Sequence, residues 1–320
     1  MFELAMVGLG SWAKRLVDAV QGKSDAVRYA AAATRSPDKV SDFCARHGMA
    51  LGTELDAVLA DPKIDGVVIA TPVFQHVEQA MAALDAGKHV LVIKPLVQTK
   101  AEAEALYAKA AEKGLTLAVG YDRCFLPAAD ALRRRVRDGD LGEIVHAEAN
   151  FCVPRYFGMT KDDFKGHVDN APPGSLADHM VYTMIELLGP VSEVEVHGLH
   201  QVTEFETPDT VTARLRFAGG PSGSLTTIGV TGDFHRLHMF GTKGWAEIRG
   251  AAGFQFSPVD GEGESVNLPP GDVLRRMQEA FAAAATGGAP FPFTPEAAIA
   301  GSAVLEALRT SFVEGRPVKL

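Results

Sequence analysis

An apolar strand that runs straight into a glycine turn and then a helix constrains this chain more than any other feature. Phe2 to Val7 is apolar apart from Glu3, and Met6-Val7-Gly8-Leu9-Gly10-Ser11-Trp12-Ala13 leads into a helical stretch over 14–20. Gly8, Gly10 and Ala13 fit G-x-G-x-x-[G/A], a pattern that has meaning only in this strand–turn–helix setting. Gly8 permits the tight turn, Gly10 lets the backbone approach a pyrophosphate, and Ala13 is small enough for helix and strand to pack. The N–H groups of the first helical turn then face the phosphates, where the helix dipole favours negative charge. Gly8, Gly10, Ser11, Trp12 and Ala13 are therefore the expected dinucleotide cradle. A plain structural glycine turn is the alternative, and the repeated βα pattern that follows weighs against it.

That pattern predicts strands over 27–33, 49–51, 66–70, 89–93 and 115–119, separated by helices. The strand over 66–70 is almost wholly apolar, as a parallel strand covered on both faces should be. Val73, Val77, Ala80, Met81 and Leu84 form a stripe at helical spacing after Thr71-Pro72. Thr99-x-x-Glu102 is a capping-box pattern opening another helix. Six strands alternating with helices argue a doubly wound parallel sheet.

After Gly120 the rhythm changes. Helices are expected over 126–138 and 176–188, a strand over 144–151, and an irregular Pro- and Gly-rich stretch over 154–174. Val194/Val196 and then Val211/Ala213/Leu215/Phe217, with Arg214 and Arg216 between, alternate with period 2. This predicts a large, mostly antiparallel open sheet with one buried face. Thr294-Pro295-Glu296 supplies an N-cap, a first-position proline and a first-turn acid for a final helix running toward Gly315. Residues 281–289 are Ala- and Gly-rich and too short to be low-complexity disorder. The expected fold class is α/β: an N-terminal Rossmann domain over 1–122 and a C-terminal α+β domain over 123–320 for substrate binding and oligomerisation.

Composition sets the outer bounds. A length of 320 residues suits two domains, and 47% apolar with 22% charged residues gives ample core and no disorder signature. A formal charge of -9 argues against nucleic acid as a partner, and the basic run Arg133-Arg134-Arg135 reads as a solvated helix face. No apolar run approaches the roughly 18 residues of a membrane span, and the N-terminal residues lack a signal-peptide pattern. Cys44, Cys124 and Cys152 are few, odd in number and far apart, so neither a disulfide framework nor a metal site is expected. A cytoplasmic setting follows as the expectation.

An ordered set of motifs resembles the Gfo/Idh/MocA oxidoreductase family over nearly the whole chain. It comprises Gly8-Leu9-Gly10, Ala70-Thr71-Pro72 with His76, Ala86-Gly87-Lys88-His89-Val90-Leu91, Lys94-Pro95, Gly120-Tyr121-Asp122-Arg123-Cys124-Phe125, Gly241-Thr242-Lys243-Gly244 and Glu314-Gly315-Arg316-Pro317-Val318. The resemblance implies a tightly held nicotinamide cofactor and sugars, polyols or related carbonyl compounds as small-molecule substrates. It also implies a C-terminal open sheet that supports the substrate site and oligomer contacts, hence a homodimer or homotetramer. Thr71, Pro72, His76, Pro95 and Arg123 join the expected cofactor residues, although His76 reads first as a structural residue at a helix start. Two positions depart from the family pattern. Ile93 stands where Glu usually precedes Lys-Pro, and Tyr182 stands where Asp-x-x-x-His would place the His after Asp178.

Hydride transfer needs a held nicotinamide, a carbonyl or carbinol beside it, and a proton donor or acceptor. Lys94 ends a parallel strand at the carboxyl edge, where an ammonium can stabilise developing alkoxide charge. Asp178 and Tyr182 are four apart and share a helix face, whereas His179 points about 100° away from Asp178. Tyr182 with Lys94 is the expected proton relay, and His179 is its rival. Arg155, Tyr156, His167 and His235 are unranked candidates for a substrate wall. At the end of the second strand Thr34-Arg35-Ser36 offers a guanidinium and hydroxyls for a 2′-phosphate. NADP is therefore favoured and NAD is the other candidate, with Asp38 as the residue that could reach a 2′-hydroxyl. The leading expectation is an NADP-favouring oxidoreductase. The alternatives are a glycosidase of the same fold that uses nicotinamide transiently, and a non-catalytic NADP-binding regulator.

Overall fold

The computed structural model describes residues 1–160, 163–168 and 176–320. Within the irregular stretch expected over 154–174, residues 161–162 and 169–174 lie outside the described residues. The chain divides into two compact units, Met1–Asp122 with Asp272–Pro295, and Arg123–Gly271 with Glu296–Leu320.

The first unit alternates as the sequence predicts. Its elements are β1 (Phe2–Val7), α1 (Ser11–Val20), β2 (Val27–Ala33), α2 (Ser41–His47), β3 (Ala50–Gly52), α3 (Leu55–Ala60), β4 (Gly66–Ile69), α4 (His76–Asp85), β5 (His89–Ile93), α5 (Lys100–Lys113) and β6 (Leu117–Gly120). All strand pairs are parallel, in the order β3-β2-β1-β4-β5-β6. The order reverses between β1 and β4, and ligands bind at the carboxyl ends of strands beside such a reversal. Every residue of β4 is buried, in keeping with a central parallel strand. At α5 the capping box forms in full: Thr99 Oγ1 accepts the Glu102 N–H at 3.2 Å, and the Glu102 carboxylate accepts the Thr99 N–H at 2.9 Å.

The second unit contains α6 (Pro127–Arg137), β7 (Ile144–Cys152), α7 (Asp178–Leu188), β8 (Val191–Leu199), β9 (Thr210–Phe217), β10 (Ser222–Ile228), β11 (Phe234–Gly241), β12 (Gly244–Arg249), β13 (Gly253–Pro258) and β14 (Glu264–Asn267). After α8 (Val273–Ala285), which belongs to the first unit, α9 (Pro295–Glu314) and β15 (Val318–Lys319) complete it. Among the described residues its sheet has nine strands, in the order β14-β13-β12-β11-β7-β10-β9-β8-β15. It is antiparallel except where β10 pairs with β7. Along β9, Val211, Ala213, Leu215 and Phe217 are buried and the residues between face outward. The outward side chains pair in charge: Arg214 bonds Glu195, and Arg216 lies 4.0 Å from Glu193.

Two features differ from the sequence reading. α8 was not expected as an element, and 272–295 packs with the first unit rather than the second. Polar anchors hold it there. The buried Tyr29 hydroxyl donates to Gln278 Oε1, and Gln278 Nε2 donates to the Leu16 carbonyl at 3.1 Å and the Leu274 carbonyl at 2.9 Å. Phe281 meets Phe2 edge-on at 5.9 Å between centroids. The second difference is the basic run. Arg133 bonds Asp130, Glu186 at 2.9 Å and the Cys124 carbonyl. Arg135 bonds Asp140 at 2.7 Å and Glu264 at 2.6 Å, with its guanidinium 4.4 Å from the Phe256 centroid. Arg133 and Arg135 thus cross-link the second unit, while Arg134 between them is exposed as a solvated face would have it.

Candidate active site

In the first unit the glycine turn is fixed from two sides. Gly8 has φ +83°, a left-handed conformation that favours glycine. A Cβ there would also sit 2.8 Å from Thr71 Cγ2 and 3.1 Å from the Ala70 carbonyl. The β1 and β4 ends therefore touch at this turn. Gly10 is the N-cap of α1, carries no side chain to occupy the helix mouth, and has open space where a Cβ would be. Ser11 is exposed, Ala13 is buried under the turn, and the Trp12 ring lies beneath the Arg15 guanidinium at 4.7 Å. Among the described residues Trp12 Nε1 is buried with no hydrogen-bond partner. An open helix mouth with a spare donor beside it fits a dinucleotide pyrophosphate. At the end of β2, Thr34 is half-buried, its N–H donates to the Gly52 carbonyl at 3.1 Å, and Arg35 and Ser36 are exposed.

The β4 and β5 ends complete this edge. Thr71 Oγ1 donates to Gln79 Oε1 at 2.6 Å, and Pro72 opens a single 3-10 turn before α4. Lys94 follows β5 and is half-buried, and the Lys94–Pro95 peptide is cis. His76 is not on the open surface of this edge. It is 2% exposed, and both ring nitrogens face backbone carbonyls. Burial pushes its imidazole pKa down, against the pull of the Thr71, Leu96 and Pro95 carbonyls.

In the second unit Asp178 and His179 open α7. Asp178 is 1% exposed, and its Oδ1 accepts the His179 N–H at 2.7 Å. The same oxygen lies 3.9 Å from His179 Nε2, and the His179 side chain keeps 13% of its surface accessible. Phe151, near the end of β7, stacks on His179 at 4.4 Å and on His235 at 4.2 Å, with interplanar angles of 7° and 16°. One phenyl ring thus joins imidazoles far apart in sequence. Burial, then the nearby Arg123 charge, holds the His235 pKa below its ordinary value. Arg123 Nη2 donates to the Gly250 carbonyl at 2.9 Å, and the Gly250 N–H donates to the His235 carbonyl at 2.8 Å.

The remaining candidates separate. Tyr182 is 0% exposed, and a Cβ on Gly301 of α9 would overlap its ring, so the phenol packs inside the second unit. Tyr156 is buried against Phe205 and Gly229. His167 is exposed, with Nδ1 3.3 Å from Glu206, and Arg155 is half-buried. The sequence reading missed Phe151. The alternation of buried Ala147, Ala149 and Phe151 along β7 marks it as inward, but nothing local identifies the rings it meets.

Comparison with known proteins agrees with both halves. The pattern described as "Oxidoreductase family, NAD-binding Rossmann fold" matches residues 2–121, and that described as "GFO/IDH/MocA C-terminal domain" matches 129–247. The chain belongs to the Gfo/Idh/MocA family. A 4-carboxy-2-hydroxymuconate-6-semialdehyde dehydrogenase from Sphingobium is 32% identical over 181 residues, 56% of this chain and 54% of that protein. The scyllo-inositol 2-dehydrogenase (NAD(+)) of Bacillus subtilis is 27% identical over 242 residues, 70% of this chain and 66% of its own. The matched segments thus span between about half and two-thirds of these curated relatives. A solved chain from Desulfitobacterium hafniense superimposes with a TM-score of 0.91 at 25% identity, covering 99% of this chain and 97% of that one. The aldose-aldose oxidoreductase of Caulobacter crescentus, at 23% identity, shares the fold with a TM-score of 0.88 over 100% of this chain and 99% of that one. Among the described residues of this family member, no helix is long and apolar enough to cross a membrane.

Proposed function

We propose that this chain is an NAD(P)-dependent oxidoreductase that moves a hydride between nicotinamide and a small hydroxy or carbonyl compound, polyol- or sugar-like, with NADP preferred. The observation that carries this reading is the turn at Gly8 and Gly10, closed by Thr71 on one side and open at the mouth of α1 on the other. Gly8, Gly10, Ser11, Trp12 and Ala13 would hold the pyrophosphate, with Thr71, Pro72 and Pro95 shaping the same edge. Thr34, Arg35 and Ser36 would meet the adenosine ribose, and the exposed Arg35 guanidinium suits a 2′-phosphate. A bound nicotinamide supplies or accepts the hydride. Lys94 would offset negative charge on the substrate oxygen.

For the proton we assign His179, oriented by Asp178. The packing of Tyr182 against α9 supports a structural role for the phenol, whereas His179 keeps accessible surface and a carboxylate neighbour. His is also the side chain suited to proton transfer near neutral pH. Arg123, tied to Gly250, is assigned to shaping the turn beside His235. The names of the relatives, an inositol dehydrogenase and a semialdehyde dehydrogenase, support a carbinol or carbonyl substrate.

Two further assignments follow. A cytoplasmic setting suits a nicotinamide enzyme. Self-association as a homodimer or homotetramer is supported by the outward sheet face, which presents Glu193, Glu195, Arg214 and Arg216 as a polar surface of mixed charge. A monomeric mass by light scattering at micromolar concentration would contradict it. Cofactor choice is tested by fluorescence titration of NADPH and NADH into the wild type and Arg35→Ala. Tighter NADPH binding that falls in the variant is expected, and equal binding of both cofactors, unchanged in the variant, would overturn the preference.

A further inference from the structure

We propose that His76 is a two-way tether that sets the cofactor loop after β4 against the Lys94 loop after β5, and so acts as a positioning residue for hydride transfer. This rests on the reading of the first unit as the cofactor domain. The ring is 2% exposed, so it meets neither solvent nor ligand directly. Nε2 lies 2.9 Å from the Thr71 carbonyl, on the loop that closes the Gly8 turn. Nδ1 lies 3.1 Å from the Pro95 carbonyl and 3.0 Å from the Leu96 carbonyl, immediately after Lys94. One rigid imidazole therefore fixes the separation of two loops that carry different jobs.

The chemistry of the ring makes the two tethers separable. Carbonyl oxygens face both ring nitrogens, so the two tethers hold together in the imidazolium, which carries an N–H on each; burial opposes that form and the Thr71, Leu96 and Pro95 carbonyls favour it. Asn places an amide N–H₂ near the Nδ1 position, and Gln places one near the Nε2 position. His76→Asn should therefore keep the tether to Pro95 and Leu96 and release Thr71. His76→Gln should keep the tether to Thr71 and release the Lys94 loop.

The test pairs hydrogen–deuterium exchange with NADPH titration and turnover on a polyol and aldose panel. In His76→Asn, exchange rises over 70–75 and the NADPH Kd rises about five- to tenfold, the loss of one buried hydrogen bond, with turnover at saturating cofactor little changed. In His76→Gln, exchange rises over 93–99, NADPH affinity holds, and turnover falls about tenfold as Lys94 loses its position. Equal losses of affinity and turnover in both variants, with exchange raised across the whole first unit, would overturn the proposal and leave His76 a packing residue. If the wild type binds NADPH but turns over no compound of the panel, the functional reading fails. The exchange pattern alone then supports or overturns the tether.

Discussion

The two units reach their candidate sites by different means. In the first, the site is backbone: a positive-φ glycine, a helix mouth without a side-chain cap, and loops held by carbonyl contacts to His76. In the second, it is side chains on separate elements, with His179 from α7, Phe151 from β7 and His235 from β11 stacked through one ring. A backbone site is encoded in consecutive residues and tolerates little change at its glycines. A stacked side-chain site depends on strand register and leaves room for the substrate-facing residues to vary. One family can therefore keep a single cofactor domain while its members carry different substrate names.

The strongest way to break this division is to remove chemistry from each side in turn. Lys94→Met should lower turnover by about 10²–10⁴, the range for a positioned charge-stabilising group, with NADPH affinity far less affected. Near-normal steady-state rates would remove Lys94 from the mechanism. On the other unit, His179→Ala should fall by about 10²–10³ while Tyr182→Phe keeps most of its turnover. The reverse pattern would return the proton to Tyr182.

Legibility in the sequence followed the same line. All six strands of the first unit were predictable because several boundaries carry their own glycine or cap, as at Gly8, Gly48, Thr99 and Gly114. The second unit was legible as an alternating sheet, but its site was not. Asp178 and His179 could be named, whereas the ring that joins His179 to His235 arises from β7 lying beside β11. For Tyr182, helical spacing from Asp178 gives a face but not what that face packs on, here Gly301 of α9. α8 has an inward face at helical spacing, Met277, Gln278, Phe281 and Ala282, but the sequence does not say which unit that face meets, because the anchors that hold it, Tyr29 and Leu16, lie some 250 residues away.

Those anchors sharpen the comparison through stability. Gln278→Leu leaves the buried Tyr29 hydroxyl without its acceptor and removes the tie to the Leu16 carbonyl, and should cost about 1–3 kcal/mol. Thermal unfolding should register that loss, and exchange should rise in the first unit alone. A rise confined to the second unit would contradict the placement of α8.

A smaller effect is expected at Asp209 in the second unit. Burial alone would raise its pKa, but the Thr203, Val202 and Gln201 N–H groups and the Thr210 hydroxyl outweigh it and hold the carboxyl below its ordinary value. A depressed carboxyl contributes stability that is present above its unfolded pKa of about 3.9 and is lost as pH falls through the folded value. The wild type should therefore lose more stability than Asp209→Ala below about pH 4. Parallel melting temperatures for the two proteins across that range would contradict it.

Hydride transfer between a nicotinamide and a carbinol or carbonyl is the reaction proposed for this chain. The most direct measurement is absorbance near 340 nm, roughly the reduced-nicotinamide band, during incubation with NADP or NADPH and a panel of polyols, aldoses and small aldehydes. A cofactor-dependent change with at least one compound, lost in Lys94→Met and His179→Ala, is the predicted result. Tight NADPH binding with no change for any compound, or cleavage of an aryl glycoside without net cofactor turnover, would contradict it.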